Sequence, residues 1–571
     1  MKPIIFLFKA TLCVVLFISP ICTYSQDTWS DIHAIFQTSC DGNSCHSSSA
    51  PNPLKLIGTS SAVYNNIINV TPLNLDASAK GYKLIDPGHP HLSFLLKKIN
   101  NGVDPDNDID ALAQGDMMPS TGPALTDEQI ELINAWILHG APETGNVVDQ
   151  QIITNYYSGL GLAQGTPPAA PDSSEGFQIH LGPLFLAPGD EKEFFKKLKL
   201  PNIADSMEIT RIESFIDAES HHYIIYKFDN QVAADAILKN GLREVVGLAD
   251  AFVNGTSMVT AWQNSSDVVL PNNTAYFWEG NPTLDLNLHI RNYSIDSVLK
   301  TSVYSNVYLQ PKQNTTIEMI SDLTLYSTAP LSLWPCNTGN PFCIPADGMD
   351  HTFTSDVTSQ NLIAGPNDSM YIWLLSSHTH KFGVGYNIYT RNTGGGIKQQ
   401  VYDGFYNFDY TAYQGYYDYE DPSVRYFDPD TFVIAAQDGL IHEATFNNDS
   451  SIEVSFGLTT NDEMMLMFLQ YTLEPPSAVV QTAISDRKEF SVNVMPNPSI
   501  SSSEILFVRD YVRKNELIVL YNLLGEEIIT QAFPLGEKKL YLEKNLLSPG
   551  IYIYKSMAGN ILLHSGKLIV N

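Results

Sequence analysis

Residues 371–389 read YIWLLSSHTHKFGVGYNIY. Tyr371, Ile372, Trp373, Leu374 and Leu375 favour a pleated, half-buried segment. After the histidines, Phe382, Val384, Tyr386 and Ile388 alternate with Gly383, Gly385 and Asn387, the period of a second strand. His378 and His380 are two apart, so on extended backbone both imidazoles project from one face. Two neutral imidazoles side by side are poor core filler and a good beginning for a copper or zinc site. The spacing alone also suits a pair of surface histidines on an edge strand.

Other donors stand in similar surroundings. His221 and His222 open HHYIIYKF, His289 closes LDLNLHI, and Met464 lies in TNDEMMLMFLQY, each at the edge of a β-type apolar segment. Five histidines and a thioether form a soft, nitrogen-rich donor set that suits copper. On these residues the chain resembles the copper type II, ascorbate-dependent monooxygenases, the family of peptidylglycine α-hydroxylating monooxygenase and dopamine β-hydroxylase, over residues 176–473. The resemblance implies one copper on His221, His222 and His289. It implies a second, O2-binding and catalytic copper on His378, His380 and Met464, the last from the family's DEM motif. It further implies two jelly-roll-like halves with one copper on each. Met465 and Ala444 stand where animal members often carry a pair of cysteines, so that staple is missing as a whole.

The 571 residues are enough for several separate cores. With 62 Asp+Glu against 32 Lys+Arg, the formal charge of −30 argues against nucleic acid or anionic membrane as a partner. Residues 1–26 join Lys2, a short apolar stretch and the small or polar CTYSQ, which reads as a secretory signal peptide cut near Ser25–Gln26. No later stretch reads as a membrane span, so an integral membrane protein is not expected. In an exported chain, Cys336 and Cys343 in CNTGNPFC are expected to form a disulfide across a Pro/Gly turn.

Cys40 and Cys45 precede His46 in a CxxxxCH arrangement. Haem attachment needs two thiols and a histidine directly after the second, although the usual spacing is two residues shorter. Gly42 and Asn43 are turn formers that would let the longer loop bulge; a plain Cys40–Cys45 disulfide is the other reading. Further on, Thr126 followed by Asp127 and Glu128 signals a helix start, and Ile130, Ile133, Trp136 and Ile137 share one face. Residues 27–145 therefore resemble the small cytochrome c domains fused to bacterial exported enzymes. That resemblance implies haem c held by Cys40, Cys45 and His46, with Met118 before Pro119 as sixth ligand and Met117 as the runner-up. The alternating Asp104, Asp106, Asp108 and Asp110 lack the glycine and closing glutamate of a calcium loop. His89, His91, His139, His180, His351 and His442 are given no ligand role.

Residues 146–175 are rich in Pro, Ser and Gly and read as a linker. Many short strand signals between turn-rich pieces then imply antiparallel sandwiches, divided into 176–325 and 326–475. The aromatic run at 402–427 reads as a tyrosine-rich surface excursion. After a second linker at 476–490, residues 491–571 contain PNP, NLLGEEI, LSPGIYIYK and a closing KLIV. This module resembles the type A C-terminal sorting domain of the Bacteroidetes type IX secretion system.

The expected architecture is thus multidomain and mainly β. A small helical cytochrome c domain precedes two antiparallel β-sandwich copper domains and a small C-terminal β-sandwich. The expected function is a secreted or cell-surface copper monooxygenase. It would hydroxylate a small-molecule or peptide substrate with O2 and an external reductant, haem c serving as electron-delivery module. A non-catalytic extracytoplasmic electron-transfer or copper-binding protein is the alternative.

Overall fold

The computed structural model describes residues 27–40, 45–47, 53–104, 107–165, 167–200, 206–216, 220–228, 238–244, 256–262, 266–279, 282–326, 336, 339–392, 394–407, 412–413, 417–420, 422–428, 430–457, 460–476, 492–495, 504–509, 516–522, 527–533, 538–558 and 561–570. The signal peptide, most of the second linker, Asp106, and the Gly42–Asn43 turn lie outside them. The chain divides into two units, residues 1–153 and 154–571.

The first unit is helical. Its last long helix, Asp127–Leu138, begins where the sequence signals it, because the Thr126 side chain accepts from the Gln129 N–H and Gln129 reaches back to Thr126. Its apolar stripe is buried, and Trp136 stacks on Trp29 of helix Thr28–Ser39 at 5.3 Å between ring centroids. The expected linker is partly structured. Gln150–Asn155 is helical and Ile153 is buried, since the breaker residues begin only after that turn. The N–H groups of Val147 and Val148 bond to the Thr28 hydroxyl.

The second unit is built of strands. One sheet runs in the order Gly176–Leu186, Leu299–Gln310, Ser206–Ile216, Thr274–Glu279. Another runs Leu242–Glu244, Glu191–Lys199, Thr283–Arg291, Ser220–Phe228, Thr256–Trp262. The central strand Thr283–Arg291 is buried at every residue but the last, as a strand covered on both faces must be. A second pair of sheets follows: Ile320–Leu325, Leu466–Thr472, Ser369–His378 in one, and Asp350–Val357, Leu440–Asn447, Gly383–Arg391, Ile397–Asp403 in the other.

Ile320–Leu325, which precedes the expected division at 325, shares a sheet with strands that follow that division. Ile320–Leu325 pairs antiparallel with Leu466–Thr472 of the second domain, and a partner nearly 150 residues away leaves no local trace in ISDLTL. One apolar core is common to both domains. Phe195, Ile224, Tyr226 and Phe228 of the first pack in the same cluster as Leu375, Tyr386, Ala444, Met467 and Leu469 of the second. Cys336 and Cys343 form the expected disulfide. No helix among the described residues is long and apolar enough to cross a membrane.

Candidate metal centre

The strand Ser369–His378 alternates exposed and buried residues at its start and is continuously buried from Leu374 onward. That change of pattern delivers His378 into the interior. Opposite it, His378 pairs with Leu466, where the antiparallel ladder ends. The turn between is held by one carboxylate. Glu463 Oε2 accepts from the His380 N–H at 2.9 Å and the Met464 N–H at 3.1 Å, while Oε1 accepts from the Phe382 N–H at 2.7 Å. Burial pushes the Glu463 carboxyl up to about 8, against the pull of these backbone N–H groups. Gly383 is required by close approach, since a Cβ there would lie 2.0 Å from Thr379 Oγ1.

In the first β domain, His222 and His289 are directly opposed on neighbouring strands. The register takes one extra residue between Ser220 and His222, a β-bulge at His221; the His221 side chain lies outside the described residues. His222 Nε2 donates to Asn287 Oδ1 at 3.0 Å, and His289 Nε2 donates to Glu191 Oε1 at 2.8 Å. Both bonds place the ring proton on Nε2, so a metal would take Nδ1 of these two rings. His380 is the reverse: Nδ1 donates to the Asp462 carbonyl at 3.1 Å, which leaves Nε2 for a metal.

The four described rings meet. Centroid separations are 5.1 Å for His222–His289, 5.1 Å for His378–His380, 5.4 Å for His222–His378 and 6.4 Å for His289–His380. They are 7%, 1%, 3% and 0% exposed for His222, His289, His378 and His380, and for His222, His378 and His380 that burial disfavours the charged ring. Burial first, then the neighbouring imidazoles, holds His378 well below the ordinary histidine value; burial with His289 beside it brings His380 to about 3. His222 is also lowered by burial, although Glu193 opposes the shift. Neutral imidazoles are the form that ligates metal.

Among the described residues, no three of the histidine nitrogens lie within 4.8 Å of one another; the group that converges so closely is Cys336, Cys343 and Glu453, whose cysteines are in the disulfide. The histidines are thus two facing pairs rather than a closed cage. Met464 is buried, and its backbone N–H shares the Glu463 carboxylate oxygen with the His380 N–H. The donor set fits copper.

Sequence reading missed the groups that position these ligands. Glu191 and Glu193 alternate along one strand, and their alternation within EKEFF was the available signal. Glu463 was present within the DEM motif. The aromatic run at 402–427 is not a surface excursion throughout. Tyr402 and Tyr417 are buried, and Ser377 Oγ lies 3.0 Å and 3.3 Å from their hydroxyls, immediately before His378. Aromatic density by itself does not say which rings turn inward. His442, given no ligand role, is buried against the Tyr386 hydroxyl and stands apart from the cluster.

In the helical unit a cavity of about 750 Å³ is lined by Cys40, Cys45, His46 and Met118 together with Phe36, Leu56, Leu84, Phe94, Leu95 and Leu125. Met117 and the histidines at 89, 91 and 139 do not line it. Cys40 and Cys45 are free thiols, not the disulfide of the other reading, and burial pushes the Cys40 thiol up to about 11. His46 Nδ1 donates to the Leu54 carbonyl at 3.0 Å, which orients the ring and leaves Nε2 for iron. Two thiols, an oriented imidazole and a thioether around an apolar hollow fit haem c.

The C-terminal residues form two sheets, Val492–Met495, Glu504–Arg509, Lys539–Glu543 and Glu527–Ala532, Glu516–Tyr521, Gly550–Ala558, Ile561–Val570. Ile505, Phe507, Ile518, Leu520, Leu540 and Leu568 fill the space between them. Residues 493–571 match the secretion system C-terminal sorting domain family. The tail is a sorting address. The chain is therefore exported, to the cell surface or beyond it, by the type IX route.

No curated protein matches the chain. Among solved structures, the major capsid protein P2 of bacteriophage PM2 aligns with 53% of this chain and 100% of its own at 9% identity and a TM-score of 0.21. The PBSX exported protein XepA aligns with 54% of this chain and 88% of its own at 8% identity and a TM-score of 0.14. Likenesses this weak carry no argument.

Proposed function

We propose that the chain is a secreted or cell-surface copper-dependent monooxygenase with its own haem c module. One observation carries the reading: four buried imidazoles from two β domains meet with ring centroids 5.1–6.4 Å apart. A core has no structural use for four buried imidazoles in contact, whereas a copper site does. His221, His222 and His289 would hold one ion and His378, His380 and Met464 the other. Copper, when bound, supplies one-electron chemistry toward O2. The chain's own residues do the rest. Glu191 and Asn287 keep the Nε2 protons of His289 and His222 in place, the Asp462 carbonyl does the same for Nδ1 of His380, and Glu463 fixes the turn that presents His380 and Met464. Burial excludes water from all four rings.

In the helical unit, Cys40 and Cys45 would hold haem c covalently, and His46 and Met118 would supply a nitrogen and a thioether to its iron. Haem c supplies electrons one at a time. That cavity also favours the second reading, a non-catalytic electron carrier, and formation of an oxygenated product separates the two.

The test is metal and haem analysis of the full chain, matured in a host that attaches haem c. Two coppers and one haem per chain are expected. Replacing His378 and His380 by Ala should remove one copper and keep the other, and Cys45→Ser should abolish the double thioether attachment. Unchanged copper stoichiometry in the double variant, or zinc at full occupancy in the parent, overturns the copper assignment; absence of covalent haem overturns the cytochrome assignment.

A further inference from the structure

We infer that Glu191 is a positioning residue that ties the two histidine pairs together across the domain boundary and so sets how far apart their metals sit. Its consequence for metals rests on the copper reading; the tie itself does not. Glu191 opens the strand Glu191–Lys199 of the first β domain. A single oxygen, Oε1, accepts from three donors: His289 Nε2–H at 2.8 Å, the Thr460 N–H at 3.1 Å, and the Thr460 hydroxyl. His289 belongs to the first domain and Thr460 to the second. Two residues after Thr460, the Asp462 carbonyl takes the His380 Nδ1 proton; the next residue, Glu463, takes the His380 and Met464 N–H groups. One short path of hydrogen bonds and the three residues 460–462 therefore runs from the ring of His289 to the ring of His380.

Glu193 provides the contrast. It lies on the same strand, two residues on, and the direct contacts of its carboxylate among the described residues are with His222 and Asn287 of its own domain. Other contacts across the boundary are independent of Glu191. The Tyr276 hydroxyl donates to Gln470 Oε1 at 2.9 Å, and the apolar core is continuous between the domains. Loss of Glu191 should therefore loosen the histidine cluster without separating the domains.

Two measurements test this on the full chain with Glu191→Ala, Glu191→Gln and Glu193→Gln. In the metal-free protein, hydrogen exchange is followed at the Thr460 amide. Glu191→Ala should speed it about tenfold or more, because the bond to a charged acceptor is lost. Glu191→Gln should hold it near the parent, since one oxygen serves all three donors, and Glu193→Gln should leave it unchanged. In the copper-loaded protein, the magnetic interaction between the two Cu(II) ions is measured by electron paramagnetic resonance. It should be present in the parent and Glu191→Gln and weakened in Glu191→Ala at unchanged copper content. Unchanged exchange at Thr460 in Glu191→Ala overturns the tie. Altered exchange with no copper bound in the parent keeps the tie and overturns the copper reading. Altered exchange with an unaltered magnetic interaction overturns the role of Glu191 in spacing the metals. Should Glu191→Ala not fold, Thr460→Val removes the hydroxyl donor from the same oxygen and is expected to shift both measurements in the same direction.

Discussion

Met464 is one of six assigned donors and the one whose loss separates enzyme from carrier. A thioether is a weak, soft ligand that favours Cu(I) over Cu(II). Met464→Ile should therefore keep Cu(II) loading near that of the parent, abolish O2-dependent substrate oxidation and leave haem reduction intact. Equal oxidation rates in variant and parent, with reductant in excess, would exclude the monooxygenase assignment. His442 tests a different property, the cost of a buried imidazole. Its value is depressed to about 3 by burial, below the ordinary 6.5. Between those limits the unfolded chain binds a proton that the folded chain does not, so stability falls as pH drops from 6.5 toward 3, by ~1.4 kcal/mol per pH unit at most. His442→Gln keeps a side-chain acceptor for the Tyr386 hydroxyl and removes the titration. Its melting temperature should fall less than the parent's between pH 7 and pH 5; an identical fall in both would mean that His442 does not charge on unfolding.

The turn that joins the strands Ser369–His378 and Gly383–Arg391 is an element with no ladder of its own. Its N–H groups at His380 and Phe382, with that of Met464, end on Glu463 rather than on another strand. Removing that acceptor strands buried donors, each at about 1–3 kcal/mol. Glu463→Ala should thus destabilise the second β domain by about 3 kcal/mol or more and lower its copper occupancy. Glu463→Gln retains one oxygen and should fall between the two. Thermal unfolding followed together with copper content checks this, and an alanine variant as stable as the parent would show that water replaces the carboxylate.

At the scale of the molecule, the tail is a separate folding problem from the chemistry. Its core is its own, and Arg509 and Glu516 form an ion pair with both side chains fully buried. The Ser556 hydroxyl adds a bond to the same carboxylate. Deleting residues 493–571 should stop delivery to the cell surface while leaving copper and haem content unchanged. Fractionation of a type IX-competent host with metal and haem assay of each fraction measures both. Surface delivery of the truncated chain would contradict the tail's role as the address.

The candidate residues were legible in the sequence, because metal chemistry restricts residue type: HH, HTH and DEM mark His222, His378, His380 and Met464 as candidates wherever the chain goes. The helix at Asp127–Leu138, the disulfide and the sorting tail were legible for the same kind of reason, a local rule with a local signature. What the tertiary structure decided is which of these come together. The register sets His222 against His289 and His378 against Leu466; the packing of two domains brings the pairs within 5.4 Å between the rings of His222 and His378. It also turned Tyr402 and Tyr417 inward and paired Ile320–Leu325 with Leu466–Thr472. Strand pairing and packing depend on residues far apart in the chain, and no local stretch contains both partners.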